Sequence, residues 1–311
     1  MVIIAMGLFT GTWMFFGLWL LTGFCIAGIG LGIMHDANHG SVTKNMKVNA
    51  ALGKLINVIG GDALNWKIQH NVLHHTFTNI DGFDEDIDPG GTLRFSPHQP
   101  RKAMHKFQFI YAWFLYGLMT IFWITFKDFV QLARYEKKGL VAAKGTTYKK
   151  ELIKMIFNKV VYYIYAVIIP LVFLPVGEIV SVGMYIGGFL LAHFVAGVTL
   201  GIVFQPAHVI PEVEYPLPDE NLSVEGNWAI HQLMTTADFA QNNPIVNWYV
   251  GGLNFQIEHH LFPNISHVHY KPISKIVKQT AAEYGLPYHN NKTFIGAVIN
   301  HGKMLFKLGR A

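Results

Sequence analysis

Residues 11–39 read GTWMFFGLWLLTGFCIAGIGLGIMHDANH, and this stretch decides the fold class. From Met1 to Met34 there is no charged residue, and the first polar cluster, His35-Asp36-Ala37-Asn38-His39, follows at once. As a single helix, 34 residues would run ~50 Å at about 1.5 Å per residue, against a hydrocarbon core of ~30 Å. Either one helix from about Gly11 to Met34 protrudes from a bilayer, or Met1–Thr10 is the tail of an earlier helix. A secretory signal would have a basic start and a shorter apolar run.

Composition extends the same reading to all 311 residues. Hydrophobic residues make up 51% and charged residues 14%, and the mean hydropathy is +0.30. Soluble domains carry about 25% charge, so too little charge is present to cover a water-facing surface. A net charge of +5 on so apolar a chain argues for basic loops beside a membrane rather than for nucleic acid. The single cysteine, Cys25, excludes an internal disulfide and any cysteine-built metal cage.

Three more apolar runs follow: Phe107–Phe126, Val160–Pro175 and Ile179–Phe204. The last two are separated only by Val176, Gly177 and Glu178 and read as a transmembrane hairpin. Residues 94–106 carry Arg94, Arg101, Lys102 and Lys106 and no acid, and residues 127–159 carry nine Lys or Arg against Asp128, Glu136 and Glu151. Short cationic loops stay cytoplasmic. Both flanks of Phe107–Phe126 are therefore placed on that side, and this run is expected to be interfacial or half-inserted. The tail from Asn264 has seven Lys or Arg and one acid, Glu283, and also reads as cytoplasmic. The expected architecture is an all-α integral membrane fold, with long transmembrane helices and a cytoplasmic helical cap, forming one domain over residues 1–311.

Of the sixteen histidines, eight fall in four places: His35 and His39; His70, His74 and His75 in HNVLHH; His208 in Phe204-Gln205-Pro206-Ala207-His208; and His259 and His260 in Gln256-Ile257-Glu258-His259-His260. Residues four apart share one face of an α-helix, so His35 with His39, and His70 with His74, aim at one point. Adjacent histidines diverge by about 100°, which suits two neighbouring ions. Gln256, three residues before His259, can offer a carbonyl oxygen. His98, His105, His193, His267, His269, His289 and His301 are isolated and read as non-ligands, and His231 stays open. A single site needs all four places on one side of the membrane, so the chain must cross an even number of times between His75 and His208. The hairpin plus a half-inserted Phe107–Phe126 satisfies that parity.

Several chemistries drop out. Membrane zinc proteases need HExxH or a relative, and HDANH has no Glu after its first His. Catalytic zinc takes three protein ligands, and more are offered here. A haem carrier would show single histidines within the membrane. Soluble diiron bundles rely on Glu, which is scarce near these histidines. Imidazole suits iron, copper and zinc, so ligand type alone does not select the metal.

HDANH, HNVLHH and QIEHH, in this order and with these gaps, resemble the three histidine boxes of membrane fatty-acid desaturases. The Gln that opens the third box resembles the front-end, linoleoyl-CoA-type (delta-6-like) branch. The resemblance runs from about Gly11 to the end of the chain. It implies an O2-dependent fatty acyl desaturase with two iron ions in a non-haem diiron centre on the cytoplasmic side of a multi-pass membrane protein. The ligands it implies are His35, His39, His70, His74, His75, His208, Gln256, His259 and His260, with Asp36 and Glu258 as partners for ligand N–H groups. The substrate would be a fatty acyl-CoA or acyl-lipid. The same scaffold serves acyl hydroxylases and sphingolipid desaturases, and a haem-binding electron carrier is the rival from another class. Relative to the family, the chain begins inside its first hairpin and reads as N-terminally truncated. Asp88-Pro89-Gly90-Gly91 only imitates the His-Pro-Gly-Gly haem motif of a fused cytochrome b5 domain, so electrons are expected from a separate ferredoxin, or from cytochrome b5 with its reductase. Ten of the nineteen acids fall in Asp81–Asp88 and Glu212–Glu225. They read as solvated loops, or as support for the histidine network or a docking site for a cationic donor.

Overall fold

The computed structural model describes residues 12–173, 181–220, 224 and 226–311. The hairpin turn Val176–Glu178 and the segment Met1–Thr10 lie outside them. Four helical stretches are long and apolar enough to cross a membrane: Thr12–His39, Ala103–Lys137, Tyr148–Phe173 and Val182–His208. The third and fourth are the expected hairpin arms. Ala103–Lys137, at 35 residues, is not short of a crossing by length or composition, so the expected half-insertion rests on the charge bias and parity alone. Contacts gather the chain into two compact units, each assembled from three stretches of sequence.

The first unit (residues 1–30, 54–66 and 114–200) is built from the apolar helices. Its core is aromatic: Phe15, Trp19, Tyr162, Tyr185 and Phe189 pack with Ile124, Ala166 and Ala192. Trp19 meets Tyr185 edge-on at 5.1 Å between ring centroids. A Cβ on Gly188 would lie 2.2 Å from the Trp19 ring, so only glycine lets the two helices approach so closely. Outward, the unit shows large apolar side chains: Trp13, Phe126, Phe157 and Phe173 are each at least 66% exposed. An aqueous surface does not carry such a belt, and a hydrocarbon one does.

Two turns of wide helix interrupt these segments, at Trp123–Lys127 and Ile164–Ile168. Such π-helical turns shift the ladder to i→i+5 bonds, and side chains attend to the backbone there. Lys159 Nζ donates to the carbonyls of Trp123, Ile124 and Gly60 and to Asp128 Oδ2 at 2.8 Å. Tyr185 OH donates to Ala166 O at 2.8 Å. Asp128 also accepts from Trp123 Nε1, and its own carbonyl accepts from Asn65.

The second unit (residues 31–53, 67–113 and 201–311) holds every histidine box. Helix α1 (Ile33–His39) carries the first box. Helix α2 (Trp228–Thr235), helix α3 (Gln256–Leu261) with the third box, and helix α4 (Tyr270–Glu283) pack through Leu233, Ile257, Val277 and Ala281. The all-α expectation is met apart from one small ladder: Ala237–Phe239 pairs in parallel with His289–Asn291. The C-terminal helix α5 (Phe294–Leu308) is fastened by the buried guanidinium of Arg94, which donates to Leu308 O at 2.6 Å and Ala311 O at 2.9 Å.

The Lys159–Asp128 pair yields the first prediction. Removing one partner of a buried pair strands the other charge, at a cost of about 3–5 kcal/mol. Lys159→Met should therefore lower the thermal midpoint of the detergent-solubilised protein by roughly 5–10 °C. Adding Asp128→Asn to it should restore most of that loss. An unchanged midpoint in Lys159→Met would mean that the pair contributes nothing to stability.

Candidate metal centre

Each box reaches the site through its own backbone geometry. In α1, His35 and His39 stand one turn apart with ring centroids at 4.8 Å, and the helix is closed by Gly40 in the left-handed region (φ +76°). The second box does not lie on an α-helix. Lys67–His74 is a π-helical stretch. On an α-helix His75 would sit about 140° round from His70, taking ~100° per residue. The wider turn brings positions i+4 and i+5 to nearly one side. His70 and His75 accordingly meet, Nε2 to Nε2, at 3.3 Å. His208 ends the helix Val182–His208, and His259 and His260 sit on the six-residue α3.

These eight imidazoles are buried and gather at two foci. One collects His35, His39, His70 and His259, whose ligand atoms lie within 4.8 Å of one another. His75 joins it, with Nε2 at 3.0 Å from His259 Nε2, and His35 Nε2 is 3.0 Å from His70 Nε2. The other focus collects His74, His208 and His260. The rings of His75 and His260 stack between the foci at 4.4 Å.

Polar groups behind the rings settle which nitrogen faces inward. His74 Nδ1 lies 3.0 Å from Asp84 Oδ2, and His70 Nδ1 is 3.5 Å from Asp86 Oδ2. A carboxylate only accepts, so each Nδ1 carries a hydrogen and Nε2 is the nitrogen left to face a metal. His259 Nδ1 meets Tyr270 OH at 3.2 Å, and His260 Nδ1 meets Gln232 Oε1 at 2.8 Å. Burial and the neighbouring imidazoles hold His75, His259 and His260 well below the usual histidine range. Burial likewise takes His70 down to about 3 against the pull of Asp86. At His74 burial is outweighed by Asp84 and Asp86, which push it up to about 9.

The donor set fits a metal on two counts. Two imidazole nitrogens bound to one ion at about 2.0–2.1 Å stand roughly 2.8–3.4 Å apart at octahedral to tetrahedral angles, and three Nε2 pairs at the first focus have this spacing. His208 Nε2 and His260 Nε2 are also buried with no hydrogen-bond partner. Buried polar atoms are seldom left so.

The remaining expected residues divide. Asp36 lies 3.8 Å from His35 Nδ1 but is bonded more closely by His267 Nδ1, at 2.6 Å. Gln256 is buried at the start of α3, its Nε2 without a partner. Glu258 departs from the expectation. His259 and His260, which follow it, face the foci, and one position along a helix it turns away. Its Oε1 accepts from Tyr288 OH at 3.0 Å. Burial and the adjacent Asp238 carboxyl push it up to about 10, so it stays a neutral acid beside Asp238 rather than a partner of an imidazole. His98, His105 and His301 bond to the backbone carbonyls of Tyr215, Gly91 and Val209. His193 bonds to Tyr162 OH in the first unit. His231, left open above, bonds to Thr78 O. The two acid windows separate as well: Asp84 and Asp86 stand behind box two, whereas Glu212 accepts from Asn300 on an exposed loop. Gln232 and Tyr270 carried no signal in the sequence, since nothing in their spacing relates them to a box.

Comparison with known proteins agrees with this site. The fatty acid desaturase family profile matches residues 11–292. The sn-1 linoleoyl-lipid 6-desaturase of Arthrospira platensis is 34% identical, over 93% of this chain and 76% of that protein. The same-named enzyme of Synechocystis is 33% identical, over 94% and 80%. The acyl-lipid (8-3)-desaturase of Physcomitrium patens is 37% identical, over 95% of this chain and 60% of its own length. With its boxes, its apolar helices and this likeness over nearly its full length, the chain belongs to the fatty acid desaturase family, on the front-end branch, and is a membrane-bound oxidoreductase that desaturates fatty acyl chains.

Proposed function

We propose that this enzyme introduces a double bond into an acyl chain carried on a lipid, using O2 and two iron ions held by the histidine boxes. The observation that carries this reading is the convergence of His35, His39, His70, His75 and His259 at one focus and of His74, His208 and His260 at the other. Gln256, at the head of α3, is the further ligand we assign. Iron is favoured over zinc because the donor set is large, whereas catalytic zinc sites take three protein ligands. A lipid-bound acyl chain is favoured over an acyl-CoA because the cyanobacterial relatives are named for a lipid substrate.

When bound, the metal pair would activate O2, the oxidant that takes two hydrogens from adjacent acyl carbons and, with two electrons from the donor, leaves as water. The chain's own residues do the rest. Asp84 and Asp86 hold His74 and His70 with Nε2 inward. Asp36, held by His267, lies 3.8 Å from His35 Nδ1. Burial of the histidines keeps bulk water from the metal site. Electrons come from a ferredoxin or a cytochrome b5. The cationic flanks 94–106 and 127–159 and the cationic tail support a centre on the cytoplasmic side, in one catalytic domain over residues 1–311.

Expression in a host lacking front-end desaturation, followed by gas chromatography–mass spectrometry of its lipids, is the test. A new double bond together with non-haem iron in the purified protein is expected. A strong Soret band with no non-haem iron would sink the reading. His74→Ala and His260→Ala should each abolish the product while the protein still reaches the membrane, and product at wild-type yield in either would contradict the ligand assignment. Asp84→Asn should lower metal affinity or turnover about 10–100-fold, the usual cost of losing a partner behind a ligand. Iron content and product rate in that variant check it.

A further inference from the structure

Helix α2 (Trp228–Thr235) contributes no residue to any histidine box, yet three of its side chains close on the turn that follows box two. Trp228 Nε1 donates to His75 O at 3.3 Å, His231 Nε2 contacts Thr78 O at 2.8 Å, and Gln232 reaches both His75 O and His260 Nδ1. The Gln232 side chain is fully buried. Its Nε2 donates to His75 O at 3.2 Å, while its Oε1 faces His260 Nδ1 at 2.8 Å and Thr78 Oγ1 at 3.0 Å.

The chemistry of the partners permits one arrangement. A backbone carbonyl only accepts, so the amide NH2 must point at His75 O. The amide oxygen must then face His260. An oxygen accepts there, so Nδ1 must carry the hydrogen and Nε2 must keep its lone pair. That Nε2 is the buried atom with no partner at the second focus. The same amide pins the main chain of His75, whose ring belongs to the first focus.

We propose that Gln232 is the positioning residue that fixes the tautomer and aim of His260 and ties box three to the end of box two, so that the second focus can hold its ion. This rests on the dimetal reading above. The test is iron retention by the purified full-length protein against a graded chelator, together with the Mössbauer spectrum of 57Fe-loaded protein. Gln232→Met, isosteric but without the amide, should lower iron affinity about 10–100-fold. It should also change the signal of one iron while leaving the other in place. Gln232→Glu keeps an acceptor for His260 Nδ1 and should hold iron more tightly than the Met variant. His231→Asn, on the same helix but bonded only to the Thr78 carbonyl, should retain iron as the wild type does. Should Gln232→Met not survive purification, Gln232→Asn carries the same expectation, because its amide is drawn back by one methylene and no longer spans His75 and His260. Wild-type retention and an unchanged spectrum in a folded Met or Asn variant would overturn the role of Gln232 while leaving the dimetal reading intact. A wild-type protein that binds no iron would overturn both.

Discussion

The constraint on which the second unit depends is electrostatic: inward-facing imidazole nitrogens stand 3.0–3.3 Å apart in a buried space. Where two such rings both present lone pairs they repel, and a cation between them relieves that repulsion. The Nε2 atoms of His208 and His260 are buried and meet no protein donor. Asp84, Asp86, Gln232 and Tyr270 supply different chemistry from different segments, but each meets an Nδ1 and so turns Nε2 toward the foci.

Helix geometry is bent to the same end in both units. The wide turn over Lys67–His74 brings His75 against His70, from which a regular α-helix would turn it by about 140°. In the apolar unit, the wide turns at Trp123–Lys127 and Ile164–Ile168 are attended by Lys159 and Tyr185. A carbonyl released from its ladder within hydrocarbon has no water to accept from, so a donor brought from another helix is the condition for the distortion. The first unit therefore holds a buried charge for its backbone's sake, and the second holds buried imidazoles for a ligand's sake.

Much of this was legible in the chain. The uncharged Met1–Met34 run and the later apolar runs mark the long helices because hydropathy needs no partner to be read. The HxxxH spacings mark imidazoles that gather at the candidate centre, because i and i+4 share a face on an α-helix. The acid window after box two drew notice for its charge, and Asp84 and Asp86 do stand behind His74 and His70. Three features were beyond the sequence. The π-helical register of box two is a tertiary outcome that no local propensity specifies, so His74 and His75 read as diverging. Glu258 looked like a partner for its neighbours, but one residue along a helix is a different face, and Tyr288, thirty positions away, claims it. Gln232 acts across 28 residues on His260, a distance at which spacing carries no information.

The placement of carboxylates bears on why the donor set is almost purely nitrogen. Two divalent ions held by neutral imidazoles would bury their whole charge, and buried charge must be compensated nearby. Asp36, Asp84 and Asp86 stand one ring away from the inward nitrogens. Direct carboxylate ligation would neutralise the ions more fully but would stiffen and crowd their coordination. Set behind the rings, the same charges raise the basicity of the ligating nitrogens through the Nδ1 hydrogens and leave the inner positions to imidazole. His74 shows the balance: burial alone would drive its charge off, yet the two carboxylates hold it up to about 9. The anionic character of the centre is thus carried by residues that do not face it, and a buried site with almost no acid among its ligands can still attract and hold cations.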